Sequence, residues 1–132
     1  NKRHFRTKTW ARLQVERLIV ERMHRYEEGK IAVAAVSLSL LDEAGATEED
    51  MEDIAAFLGQ IEGVETSITI RELADGGCKL SVRTSGGLNA TKVCAILGGG
   101  GHAAAAGCTV DMGLKEAEEQ ILAAIRQVER DG

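Results

Sequence analysis

Residues 98–109 read Gly-Gly-Gly-Gly-His-Ala-Ala-Ala-Ala-Gly-Cys-Thr. Neither a helix interior nor an ordinary strand is built this way. Glycine loses more backbone freedom on folding than any other residue, so four in succession are costly to order. A fold that keeps them brings its main chain close to something else. One reading is a cradle in which the N–H groups of Gly98, Gly99, Gly100 and Gly101 hold an anion, with His102 beside them as a titratable group. The plainer reading is a helix C-terminus running into a turn, for which one or two glycines would serve.

Charge around the run favours the anion. The chain carries a formal net charge of −5, yet no Asp or Glu occurs between Gly76 and Val110. That window holds Lys79, Arg83, Lys92 and His102 and nine of the 15 glycines. A positive island on an acidic chain suits an anionic ligand and disfavours indiscriminate binding to polyanions.

The 132 residues suffice for one domain with a real core. Aromatic residues make up only 3%, so Leu, Ile, Val and Ala must fill that core. Cys78, Cys94 and Cys108 are odd in number and lack metal-ligand spacing, which reads as buried thiols in a reducing, cytoplasmic compartment. No apolar run is long enough to span a membrane; the longest, residues 31–36, is strand-sized. The first 30 residues hold nine Lys/Arg against four Glu, while the remaining 102 hold seven Lys/Arg against 17 acidic residues. The chain also starts at Asn1 without a methionine, as an interior fragment of a longer protein would.

Helical spacing runs over residues 9–28, with Val15, Leu18, Ile19, Arg22, Met23 and Tyr26 on one face. Trp10 and Leu13 are expected to pack. Residues 31–41 suit a strand buried on both faces. Thr47 with Glu48, Glu49 and Asp50 reads as the start of a helix carrying Met51, Ile54, Ala55, Leu58 and Ile61. Alternation predicts strands over 64–71 and 78–83, joined at Asp75-Gly76-Gly77, with Arg83 on the polar face near the second strand's end. Asn89 caps a short helix ending at the glycines, residues 106–110 form a last strand, and residues 114–130 an amphipathic helix. The order is α-β-α-β-β-α-β-α, an α/β fold with a mixed-direction sheet and flanking helices.

The glycine run is neither a Walker loop, since no Lys-Ser/Thr follows Gly101, nor a dinucleotide fingerprint. Arg83 offers a bidentate contact to phosphate oxygens. His102 offers a hydrogen bond to a phosphoryl oxygen or a proton to a leaving group. His4, His24 and His102 are far apart in sequence, and no Asp/His cluster matches two-metal phosphoryl chemistry. Ser85 and Cys108 lack a visible base. The chain by itself therefore reads as a phosphate binder that does not cleave, and no metal ligands are assigned to it.

The pattern Gly98-Gly99-Gly100-Gly101-His102-x-x-Ala105-Ala106-Gly107 resembles the DHH-associated C-terminal domain of the DHH-family phosphoesterases. The likeness extends to Arg83, to the helix of residues 89–97 and to that of 114–130, covering about residues 30–130. Residues 45–50 and 61–65 look like the branch that degrades short oligoribonucleotides and 3′-phosphoadenosine 5′-phosphate. The resemblance implies a basic linker helix at 1–29 leaving an upstream catalytic domain, and a substrate-binding domain at 30–132. It implies substrate contacts from Arg83, Gly98, Gly99, Gly100, Gly101, His102 and Gly107, with His102 assisting near the scissile phosphate. Manganese or magnesium belongs to the upstream Asp-His-His domain, and this sequence holds no such motif. Position 103 is Ala103, where family members often carry a larger or basic residue.

The expectation is thus the substrate-binding lobe of a metal-dependent phosphoesterase acting on short RNA or a nucleotide phosphate. Its partners would be that substrate and the upstream catalytic domain, with a homodimer left open. A polyphosphate or cyclic-dinucleotide hydrolase of the same family is one alternative. A second is a non-catalytic RNA-binding module like that appended to alanyl-tRNA synthetases, against which the net charge of −5 argues. A third is an interaction domain whose glycine run is only structural. Phe5, Trp10, Tyr26 and Phe57 all lie outside the glycine window, so recognition dominated by phosphate is expected rather than base stacking.

Overall fold

The computed structural model describes residues 7–132, so His4 and Phe5 lie outside the described residues. Thr9 accepts a hydrogen bond from the Arg12 N–H and starts helix α1, Trp10–Arg22. That helix stops short of residue 28. Met23 is extended, and His24–Tyr26 forms strand β1, paired antiparallel with strand β2, Ile31–Val36. Local helical spacing loses here to a long-range tie. The buried carboxylate of Glu118 accepts a hydrogen bond from the Tyr26 hydroxyl at 2.5 Å and lies 2.8 Å from His24 Nδ1. Burial and this hydrogen bond push the Tyr26 phenol up to about 12.

The apolar run expected as one strand to Leu41 is divided. Ser37 leaves β2 and caps helix α2, Leu38–Ala44, by accepting from the Leu40 N–H at 3.0 Å. The helix expected after Thr47 is likewise broken. A 3-10 turn, Glu48–Met51, carries the capping box of Thr47 and Asp50, and helix α3, Ile54–Gly59, follows Asp53. Asp53 stands in the left-handed region at φ 57°. Strand β3, Thr66–Glu72, and strand β4, Cys78–Thr84, follow the expected hairpin. Helix α4, Ala90–Ile96, is capped by Asn89. Strand β5, Gly100–His102, strand β6, Ala105–Val110, and helix α5, Leu114–Asp131, complete the chain.

The sheet runs β1-β2-β3-β4-β6-β5, with β2 and β3 parallel and every other pair antiparallel. The mixed-direction α/β expectation therefore holds. On one face, Ile68, Ile70, Leu80 and Val82 pack against Val93, Ile121 and Ile125 of α4 and α5. On the other, Ala34 and Val36 pack against Val15, Leu18, Ile19, Leu40 and Leu58. Residues of α1 thus belong to the second core, although Trp10 and Leu13, expected to pack, are exposed.

Glu16 anchors α1. It is buried, and its carboxylate accepts from Lys8 Nζ at 2.9 Å and Arg12 Nε at 2.8 Å. Burial pushes its carboxyl up, but the hydrogen bonds and charges of Lys8 and Arg12 outweigh this and hold it below the ordinary 4.5. A depressed folded pKa gives stability that is present above the unfolded value and lost as pH falls through the folded one. Glu16→Gln is expected to lower stability at pH 7 by about 1–2 kcal/mol, a modest figure because Lys8 is half exposed. The deficit should shrink in the acid limb, as pH falls below the ordinary 4.5 and through the lower folded value. Thermal unfolding of both proteins between pH 3 and 8 checks this. A deficit unchanged across that range would exclude the charge as its cause.

Candidate functional site

Side chains of directly paired residues share one face of a sheet, and alternate residues point to opposite faces. Register therefore sorts the sequence-predicted residues. His102 pairs Ala105, Ala105 pairs Arg83 and Arg83 pairs Ser67, making one row across four strands. The next row is Gly100, Gly107, Ser81 and Thr69, and the third is Thr109, Lys79 and Arg71. This is the face that α1, α2 and α3 cover over β2 and β3. Over β4, β6 and β5 it stays open, with Lys79, Arg83, Gly100, His102 and Thr109 all exposed. At a strand spacing of about 4.8 Å, His102 and Arg83 stand about 10 Å apart along their row.

Of the positive island, Lys79, Arg83 and His102 share this open face. Lys92 does not. It lies on α4, across the sheet, lining a groove of about 710 Å³ with Lys30, Asn89 and the C-terminal end of α5.

The glycine run divides into parts with different tasks. Gly98 and Gly99 close α4: their N–H groups donate to Ala95 O at 3.1 Å and Cys94 O at 2.8 Å, and Gly98 adopts φ 89°. The plainer sequence reading thus accounts for these two donors, which an uninterrupted four-residue cradle would need. Gly99 and Gly101 also let β5 lie against β6. A Cβ on Gly99 would fall 2.1 Å from Gly107 O, and one on Gly101 would fall 2.6 Å from Ala106 Cα. A Cβ on Gly107 would meet Leu80 O at 2.9 Å. Gly98 and Gly100 have open space where a side chain would go, but Gly98 stands at φ 89°, so Gly100 alone of these five has both the space and a backbone that an L side chain adopts readily.

His102 ends β5, and no hydrogen bond to its ring is formed among the described residues. It is aimed by the turn that follows, because Ala103 O accepts from the Ala90 N–H at 2.7 Å and Ala104 O from the Thr84 N–H at 3.0 Å. These two bonds pin the hairpin tip to α4 and to the end of β4, beside Arg83.

Three residues that sequence reasoning did not single out as functional complete the surroundings. Asp53 Oδ1 lies 2.6 Å from Arg83 Nη2. Arg71 sits beside Lys79 across the ladder, 3.9 Å from Glu48. Thr69 is buried, and its Oγ1 has no hydrogen-bond partner among the described residues. Together with Ser81 they line a groove of about 290 Å³ between the Glu48–Asp53 segment and β3–β4. The alternation of β3 and β4 put Arg71 and Arg83 on one polar face; nothing local to Asp53 announces its partner 30 residues away.

Nucleophilic chemistry finds no support here. Cys94 and Cys108 are buried, and the hydrogen bond between the two thiols, with burial, pushes Cys94 up, while for Cys108 the same bond outweighs burial and acts downward. No base stands beside either thiol among the hydrogen bonds of the described residues. No group of three or more His, Cys, Asp or Glu fit to hold a metal occurs among the described residues. Nor is any described helix long and apolar enough to cross a membrane.

Comparison with known proteins gives a consistent picture. The DHHA1 domain family matches residues 28–131. The bifunctional oligoribonuclease and PAP phosphatase NrnA of Thermus thermophilus is 39% identical over 93 residues, which is 70% of this chain and 28% of that protein. Among solved structures, an exopolyphosphatase-related protein from Bacteroides fragilis superposes with a TM-score of 0.84 at 22% identity, covering 93% of this chain and 36% of its own. A pGpG-specific phosphodiesterase from Vibrio cholerae superposes with a TM-score of 0.57 at 19% identity, covering 92% and 41%. The chain thus spans about a third of the proteins it matches.

Proposed function

The chain belongs to the DHHA1 domain family, and from that premise we propose that it is the substrate-binding lobe of a phosphoesterase that acts on short oligoribonucleotides or 3′-phosphoadenosine 5′-phosphate. The observation that carries this reading is the open half of the sheet, where Arg83 and His102 stand in one row beside the bare backbone of Gly100. The relative that is an oligoribonuclease and PAP phosphatase supports the substrate class.

In this reading Arg83 engages a phosphate, two of whose oxygens match the guanidinium fork. Gly100 lets the ligand approach the main chain of β5. His102 hydrogen-bonds a phosphoryl oxygen or holds a proton for the leaving group, and its aim comes from the pinned hairpin tip. Gly98, Gly99, Gly101 and Gly107 act indirectly, by making that close-packed geometry attainable. The family implies manganese or magnesium. The described residues do not fit such an ion, since no group of three or more His, Cys, Asp or Glu able to hold one occurs among them; in this reading an upstream catalytic domain would supply the metal.

A titration of this chain with a 5′-phosphorylated RNA dinucleotide, followed by amide NMR, tests the reading, with tripolyphosphate as the comparison ligand. Shifts centred on Arg83, Gly100 and His102, and larger for the dinucleotide, are expected. Arg83→Ala should weaken dinucleotide binding about 10- to 100-fold, the size of a lost charge-assisted contact. Equal responses to both ligands would reduce the site to a generic phosphate cradle. Unchanged affinity in Arg83→Ala would remove Arg83 from it.

A further inference from the structure

Arg83, the one cation in the His102 row, is already engaged by an anion of the chain itself. Asp53 Oδ1 reaches its Nη2 at 2.6 Å, and both side chains remain about half exposed, at 57% and 48%. The contact is built by an unusual piece of backbone. Asp53 separates the 3-10 turn from α3 in the left-handed region, at φ 57° and ψ 32°. Among non-glycine residues, Asp and Asn tolerate that region best. The turn is held by main chain, through the Ala56 N–H donating to Asp53 O at 3.1 Å. The carboxylate makes no other hydrogen bond among the described residues, so it is able to leave Arg83 by a side-chain rotation that keeps the turn intact.

We infer that Asp53 is a built-in competitor of the ligand, a carboxylate that occupies Arg83 in the free domain and is displaced by the ligand's phosphate. The inference rests on the assignment of Arg83 to phosphate and adds the residue that sets its threshold. Carboxylate and phosphate present oxygens to the same fork. Only one nitrogen of the guanidinium is taken, which leaves the rest as the point of entry. Beneath the pair lies the groove lined by Ser81 and by Thr69, whose buried hydroxyl has no partner among the described residues. Ser81 lies two residues along β4 on the same face, so its hydroxyl adjoins a phosphate arriving at Arg83. The other charged groups lining the groove are Glu48, Glu52, Arg71 and Lys79, and Arg71 has Glu48 at 3.9 Å.

Displacement has a signature that simple charge relief lacks. When a binding-competent state must first be freed from an internal contact, every ligand using that contact loses affinity by the same factor. Removing the competitor restores that factor only while Arg83 is present.

The test is a double-mutant cycle of Asp53→Asn and Arg83→Gln, titrated with the 5′-phosphorylated RNA dinucleotide and with inorganic phosphate. Asn keeps the left-handed turn, and Asp53→Gly, which also suits it, serves as a second variant. Both single changes at 53 should tighten either ligand about 2- to 5-fold, the size set by an exposed ion pair. The gain should disappear in the Arg83→Gln background. A gain that survives there would mean general charge relief and would overturn the inference. So would unchanged or weakened binding in both Asp53 variants while Arg83→Gln weakens it, an outcome that leaves the functional reading standing. If Arg83→Gln alone changes nothing, Arg83 is not part of the phosphate site and this inference falls with that assignment.

Discussion

Replacing Gly99 with alanine is expected to cost about 3 kcal/mol, the upper end of the range for overpacking a tight site. The new Cβ would stand 2.1 Å from Gly107 O and 2.5 Å from Cys108 Cβ. One of these neighbours is backbone and the other is the root of a buried side chain, so neither gives way by a rotamer change. Domains of this size are stable by about 5–15 kcal/mol, so the loss is a large share of the whole. Gly100→Ala is the informative contrast. Nothing lies within 4 Å of its Cβ position, and Gly100 is not among the glycines with positive φ. That variant should melt within about 1 kcal/mol of the parent and still bind the dinucleotide more weakly, because the added methyl stands on the open face. Thermal melts and titrations of the pair separate the two tasks of the run. Equal melting temperatures for Gly99→Ala and the parent would refute the close approach of β5 to β6.

This contrast also shows what the sequence discloses and what it withholds. Four glycines announce a close approach of main chain, but not to what. Three of them are explained by the protein's own packing, through the closure of α4 and the approach of β5 to β6. Those relations depend on where residues 94 and 105–108 end up, which no local pattern reveals. The alternation of Cys78, Leu80 and Val82 with Lys79, Ser81 and Arg83 did reveal the two faces of β4, because burial on one side of a strand imposes a period of two. It did not reveal that the polar face is left open over β4 but covered over β2 and β3. That depends on how far α1, α2 and α3 reach. Strand β1 was hidden for a similar reason: its helical spacing is real, and Glu118, 94 residues from His24, overrides it. Asp53 was the least legible, since a left-handed aspartate and a partner 30 residues away leave no mark on their neighbours.

Leu80→Ala should produce the second large effect, about 2–5 kcal/mol, from lost burial and the cavity left behind. Leu80 is fully buried in the middle of β4, under α4 and α5, with Ile70 and Val82 in the same cluster. Thermal midpoints should fall by roughly 10 °C or more, and the urea midpoint should fall with its slope unchanged. Ile96→Ala, at a position 42% exposed on α4, should shift either midpoint little. The consequence for function follows from the two-faced strand. Leu80 points into the core, while Lys79, Ser81 and Arg83 point to the open face, so the loss falls on the scaffold and leaves the ligand-facing groups in place. At a temperature where Leu80→Ala remains folded, its dinucleotide affinity should match the parent's. Near its midpoint, the apparent affinity should fall only by the unfolded fraction. A binding loss well below the midpoint would mean that the sheet transmits core packing to Arg83. The open face would then be a flexible surface rather than the rigid row on which the functional reading depends.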